Sequence, residues 1–341
     1  MTQTAGTTPI PSTPTIARSE TVAFAAMVLG LLIAPFFVYP IFLMKALCFA
    51  LFACAFNLLI GYVGLLSFGH ALFFGWASYV AAHLAKVGAI QIPYWAGAWH
   101  WLVIPLPPLS TELAILGGTL AAAMLGLIAG SIAIRRQGIY FAMITLALAQ
   151  MMFFFAVQAP FTHGEDGIQA VPRGHLFGVI NLADQSNMYL FVLAIFLGGF
   201  LAIYRIINSP FGEVLKGIRE NEARAISLGY RTERYKLVAF VLSAAFAGLA
   251  GATKAIVFQL ASLTDVDWPT SGEVILMTLV GGLGTIFGPV AGAFFIVSLE
   301  NFLTQIGQWV FVVQGTIFVA CVLLFRRGII GELAQLLRIK L

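Results

Sequence analysis

Six stretches of this chain, residues 21–44, 46–85, 113–134, 137–164, 274–299 and 301–325, contain no aspartate, glutamate, lysine or arginine. A helix needs about 20 mainly apolar residues to cross the hydrocarbon core of a bilayer, and every one of these runs is long enough. Composition agrees. Of the 341 residues 60% are hydrophobic and only 9% charged, with a mean hydropathy of +0.97, whereas soluble domains carry about 25% charged residues. A water-soluble fold has nowhere to put this much apolar surface, so the sequence predicts an all-α integral membrane protein. Helices are the expected element because backbone groups in lipid must be satisfied within their own segment.

Helices are expected over roughly 22–43, 45–60, 71–85, 112–134, 138–158, 187–207 and 237–258. The last third offers 273–303, interrupted by glycines, and 306–325, for about eight to ten membrane segments in all. Residues 87–110, rich in proline and tryptophan, suit a loop or short segment at an interface. The Thr- and Pro-rich residues 1–20 read as a flexible tail, 21–325 as the membrane domain and 326–341 as a C-terminal tail. Cys48, Cys54 and Cys321 lie inside apolar runs without ligand spacing and read as packing residues, with no metal site.

The net charge of +4 has its origin in loops rather than in nucleic-acid binding. Arg135–Arg136, the stretch 205–236, and Arg326–Arg327 with Arg338 and Lys340 are basic and should face the cytoplasm. Loops 159–186 and 259–273 are acidic and should face outward. Lys and Arg number 18 and Asp and Glu 14, and eleven of these charges fall within 205–236. There, Phe211, Val214, Leu215 and Ile218 follow the spacing of one helical face. Ser209 can cap the N-terminus, Pro210 suits the first helical position, and Gly229 can supply a left-handed stop. An exposed amphipathic helix or helix pair over 210–228 is predicted. Its polar face mixes both signs, which suits a soluble partner better than anionic lipid alone.

Polar residues inside apolar runs are costly and often functional. Asn57, Ser67, His70, Thr145, Gln150, Glu273 and Thr278 form that set, although an interhelical hydrogen bond would serve each of them singly. Gly61, Gly64, Gly281 and Gly284 mark places near 61–70 and 281–290 where helices can break and expose backbone to a cavity. Both segments contain Gly-x-x-Gly followed by Phe-Gly, a hint of two related halves. Gly117, Gly118, Gly126 and Gly130 read instead as close helix packing. No intramembrane network of acids and lysines, of the sort ion-coupled carriers use, is apparent.

At this point four blocks carry a resemblance: Gly61-Tyr-Val-Gly-Leu-Leu-Ser-Phe-Gly-His-Ala-Leu-Phe-Phe-Gly75; Gln137-Gly-Ile-Tyr-Phe-Ala-Met-Ile-Thr-Leu-Ala with Gly164-Glu-Asp-Gly167; the loop from Ile218 through Gly229 to Phe240; and Gly281-Gly-Leu-Gly-Thr-Ile-Phe-Gly-Pro-Val-Ala-Gly292. In this order they resemble the LivM-type permeases of branched-chain amino acid importers. The resemblance implies a multi-pass protein of the bacterial inner membrane, in which this chain pairs with a second, related permease chain. Two cytoplasmic ATPase subunits would bind ATP and Mg, and an extracytoplasmic solute-binding protein would deliver solute. The chain itself would be neither an enzyme nor a cofactor binder, and it has no GxxxxGK[ST] phosphate loop. In this picture Glu213, Arg219, Glu220, Asn221, Glu222, Arg224 and Gly229 couple to the ATPase. The family's Glu-Ala-Ala signature is only approximate, with Ala223 and Arg224 in its first two places. Asn57, Gly64, Ser67, His70, Thr145, Gln150, Glu273, Thr278, Gly281 and Gly284 line the pathway, and Glu165 and Asp166 meet the binding protein. Rival readings are a permease for urea or short amides, and a stand-alone channel or ion-coupled carrier.

Overall fold

The chain folds as a helical bundle with two interrupted helices near its centre. The computed structural model describes residues 14–87, 89–95, 99–105, 108–176, 178, 180–303 and a few scattered positions beyond 303. In chain order the helices are α1 (Pro14–Ile33), α2 (Pro40–Ile60), α3 (His70–Lys86), α4 (Thr111–Ala133), α5 (Ile139–Gln158), α6 (Gln185–Ile207), α7 (Pro210–Glu220), α8 (Glu222–Ser227), α9 (Thr232–Phe258), α10 (Trp268–Gly281) and α11 (Gly288–Leu303). Short strand pairs join β1 (Ala89–Trp95) to β2 (Trp99–Pro105), β3 (Ile168–Gln169) to β6 (Leu260–Ala261), and β4 (His175–Leu176) to β5 (Ile180–Asn181). Among the described residues five helices, α2, α4, α5, α6 and α9, are long and apolar enough to cross a membrane.

Burial sorts these helices by position. Nearly every residue of α2 from Leu43 to Leu59 is buried, so this helix is the central post. By contrast α4, α5 and α6 turn large apolar side chains outward, among them Leu116, Leu120, Met124, Met143, Phe154 and Leu190. A helix apolar on every face, with one side unburied by protein, belongs against lipid.

Small residues set the packing of α3, α4 and α9. A Cβ on Gly251 of α9 would overlap the Phe74 carbonyl of α3, and one on Gly118 of α4 would sit 2.6 Å from the Ala77 carbonyl. Gly126 and Gly130 press likewise on Ala244 and Phe240. Close approach of this kind gives membrane helices their van der Waals attraction where lipid removes the hydrophobic drive. The packing role expected for the 117–130 glycines matches this geometry.

Several boundaries differ from the expectation. The first expected helix, 22–43, splits. The tail boundary at residue 20 falls inside α1, a 3-10 turn follows at Ala34–Phe36, and α2 starts at Pro40 rather than 45. Prolines at 35 and 40 explain the split, since each lacks an N–H and pushes its predecessor toward extended backbone; Tyr39 has φ −59° and ψ 126°. Segment 87–110 holds an antiparallel hairpin, with Ala89 opposite Pro105 and Trp95 opposite Trp99. Its run of isoleucine, valine and aromatic residues favours strand over irregular loop. Helix α9 begins five residues earlier than expected, which brings Lys236 onto its first turns. Most of the expected helix 306–325, and the basic cluster after it, lie outside the described residues.

Candidate coupling and pathway site

Both predicted helix breaks are present, and they meet. Helix α2 stops at Gly61 and α3 restarts at His70; α10 stops at Gly281 and α11 restarts at Gly288. Gly64 (φ 80°) and Gly284 (φ 75°) hold backbone angles in the left-handed region, where a Cβ is strained. Asn57, buried on the last turn of α2, ties the two breaks together. Its Nδ2 donates to the Thr285 carbonyl at 2.9 Å, and its Oδ1 accepts from the Gly284 N–H at 3.0 Å. One side chain thus satisfies two backbone groups that the α10 break leaves without a helical partner.

Arg219 reaches the same point from α7. Its Nη1 donates to the Gly61 carbonyl, and a Cβ on Gly64 or Gly284 would stand 3.2 Å from its Cγ or 3.1 Å from its Nη1. The glycines therefore leave room for this guanidinium. A single residue of the amphipathic pair touches both interruptions of the bundle.

The pair itself is two capped helices meeting at Asn221. Ser209 Oγ accepts from Gly212 N at 3.3 Å, and Asn221 Oδ1 accepts from Arg224 N at 3.0 Å. Gly229 adopts φ 88° and ends the second helix. Glu213, Gly217, Asn221, Arg224 and Tyr230 line a cleft of about 240 Å³ between α7 and α8. Glu213 pairs with Lys216 at 2.8 Å on the surface, and Glu220 and Arg224 are exposed. Glu222 takes a different position from the outward one expected. Its carboxylate lies 2.5 Å from the buried Lys236 Nζ, because a lysine on the first turns of α9 needs a counter-charge.

The remaining pathway candidates divide. Thr145 of α5 supports the first break, accepting from Phe68 N at 3.2 Å, while Ser67 Oγ accepts from Gly69 N at 3.3 Å. His70 is wholly buried among Phe56, Phe73 and Phe240. Its Nε2 lies 2.8 Å from Ser243 Oγ, whose proton goes to the Ala55 carbonyl at 2.5 Å. The hydroxyl must then accept, so the imidazole carries its proton on Nε2. Thr278 is also fully buried and bonds back to the Val274 and Ile275 carbonyls. Gln150 and Glu273 are half-buried, and Gly281 packs on the Gly288 backbone.

The expected absence of an intramembrane charge network does not hold. Lys45 of α2 pairs with Glu300 of α11 at 3.1 Å, and Lys254 of α9 with Asp265 at 2.6 Å. These partners sit on different elements, so no local window shows them together. A signal was present: Lys45 and Glu300 are the single charges that interrupt otherwise uncharged runs.

At the opposite end of the bundle from α7, the loop 160–175 is stitched down. β3 pairs with β6, Arg173 Nη2 donates to the Val257 carbonyl at 2.8 Å, and Lys86 Nζ donates to the Gln169 carbonyl at 2.6 Å. Glu165 and Asp166 stand exposed on this fixed cap.

A multi-pass helical bundle with two broken helices meeting near one face, and a capped helix pair bonded to that junction, defines a membrane permease. The chain belongs to the family described as branched-chain amino acid transport system / permease component, whose model matches residues 38–323. It is 25% identical over 307 residues to LivM, the permease protein of the high-affinity branched-chain amino acid transport system of Escherichia coli, covering 83% of this chain and 68% of LivM. A shorter match, 28% over 134 residues, joins it to the probable branched-chain amino acid permease LivH of Methanocaldococcus jannaschii, covering 38% of this chain and 39% of LivH. The E. coli xylose transport permease XylH is 25% identical over 184 residues, 49% of this chain and 44% of XylH. No solved structure matches the chain significantly.

Proposed function

We propose that this chain is one permease subunit of an ATP-driven importer of branched-chain amino acids. It works with a second related permease, two cytoplasmic ATPases and an extracytoplasmic binding protein. The observation that carries the reading is the bond from Arg219 to Gly61, because it gives motion of the α7–α8 pair a direct mechanical path to both helix breaks. ATP and Mg bind in the partners. An ATPase surface element seats in the cleft between α7 and α8, and its motion passes to α9 through the Glu222–Lys236 pair. Arg219 then displaces the Gly61 and Gly284 turns, and α2, α10 and α11 tilt to change which side the pathway faces. Glu165 and Asp166, fixed on the outer cap, receive the binding protein.

The test is reconstitution of the complete importer in liposomes with ATP-dependent uptake of radiolabelled leucine. Uptake competed by isoleucine and not by xylose or urea is expected. Arg219→Ala should leave the ATPases assembled and hydrolysing while uptake falls about tenfold or more, the effect of one lost charged hydrogen bond; normal uptake in that variant would remove the coupling path. The likeness to XylH supports a pentose as the second reading. Uptake of xylose without leucine would establish that one instead.

A further inference from the structure

Helices α2, α10 and α11 pack together, and at the end of the bundle away from the breaks they bring three ionisable side chains onto one wall. Lys45 Nζ lies 3.1 Å from Glu300 Oε2, with the two side chains 37% and 18% exposed; the ammonium is accessible, while the other Glu300 oxygen, Oε1, is buried. Glu273 is the third. The α10–α11 hairpin sets Gly281 against Gly288 and Met277 against Gly292. Climbing one more turn on each helix places Glu273 level with Ile296, one turn from Glu300. Glu273 accordingly lies within electrostatic reach of Glu300 and Lys45, and to a smaller extent of Asp265. It is half-buried, shares a helix face with the half-buried Leu276, and makes no hydrogen bond among the described residues.

This cluster contrasts with the other intramembrane pair. Lys254 Nζ is bonded to both oxygens of Asp265, at 2.6 and 2.7 Å, and the two side chains are 13% and 7% exposed. That pair is saturated and closed. The Lys45–Glu300 pair alone would suffice to hold α2 to α11, and it leaves the Glu273 carboxylate without a structural task. A charge so placed is costly unless it acts on something.

We infer that Lys45, Glu273 and Glu300 form a recognition site for the charged ends of a zwitterionic α-amino acid at the outer mouth of the pathway. The Glu273 carboxylate receives the solute's ammonium, Lys45 Nζ receives its carboxylate, and Glu300 holds Lys45 in place. Leu276, one turn along α10, faces the aliphatic side chain. A neutral sugar or amide has no use for one partner of each sign and would only pay their desolvation. The inference rests on the amino-acid reading above and narrows it to a site.

The experiment uses the reconstituted complete importer carrying Glu273→Gln or Glu273→Asp. Leucine uptake should fall about tenfold in the Gln variant, the expected effect of losing one charged hydrogen-bond partner. It should recover to within about threefold in the Asp variant, which keeps the charge. Uptake unchanged in Glu273→Gln, or lost equally in both, overturns the site while leaving leucine import standing. Failure of the wild type to carry leucine overturns the parent reading instead. Should Glu273→Gln not assemble, Leu276→Cys on the otherwise native chain decides. Leucine delivered by the binding protein should slow its reaction with an impermeant thiol reagent, and no slowing would sink the proposal.

Discussion

Around α9 the helices approach until backbone meets backbone, with Gly118, Gly248 and Gly251 giving the room. Where α2 meets α7 and the α10–α11 hairpin, long side chains make the joints instead, Asn57 to Thr285, Arg219 to Gly61 and Lys45 to Glu300, while inside the hairpin Gly281 meets Gly288 and Gly292 meets Met277 backbone to backbone. The first kind of contact has little freedom, because a carbonyl against a Cα cannot slide without overlap. The second can lengthen, rotate or exchange partners at modest cost. The α3–α4–α9 group is therefore the frame, and on the proposed mechanism α2 and the closely packed α10–α11 hairpin are the parts that would shift against it.

The largest effect should come from overfilling the frame. Gly251→Leu forces a side chain into the Phe74 carbonyl and should cost about 3 kcal/mol or more, seen as loss of the monodisperse peak in detergent chromatography. A well-behaved variant would mean that the α3–α9 contact is looser than the geometry indicates. Next, Asn57→Ala leaves the half-buried Gly284 N–H and Thr285 carbonyl without their partner, at about 1 kcal/mol for each group. Here thermal unfolding should shift while ATP-driven uptake falls further than stability accounts for; a purely proportional loss would make the clamp part of the frame. Ser243→Ala, which strips His70 Nε2 and the Ala55 carbonyl of their shared hydroxyl, should cost about 1–2 kcal/mol in the same melting assay and leave uptake by the surviving protein intact. The smallest change has the opposite sign. Gly198 of α6 has open space around it, so Gly198→Ala should stabilise by about 0.5–1 kcal/mol, and a loss would reveal a neighbour at that face.

Much of this division was legible in the sequence, for reasons that differ by element. Helices α4, α5 and α6 appear within about two residues of their expected ends, because a long apolar run closed by a charge, proline or glycine admits few alternatives. The breaks were visible as glycine clusters, and Ser209 with Pro210 marked the start of α7. What could not be read was which residues face each other. Asn57 looked like one of several lone polar residues, and its partners lie 227 and 228 positions away. Lys236 looked like loop charge until α9 was seen to start at Thr232. His70 and Thr278 resembled pathway residues because polarity in an apolar run is the same signal whether the side chain faces a cavity or bonds within the core. Periodicity describes one segment's surface; matching two surfaces requires the fold.

The ion pair between Lys45 and Glu300 has a consequence for how the protein is made. The two residues are 255 positions apart, and ribosomes add about 5–20 residues per second, so about 10–50 s pass between their emergence. During that interval α6 and α9 arrive to pack on α2, which in the finished bundle has almost no surface facing lipid, but the Lys45 ammonium stays without Glu300 throughout. Until α11 arrives that charge must be accommodated in another way, by the long side chain reaching toward the interface.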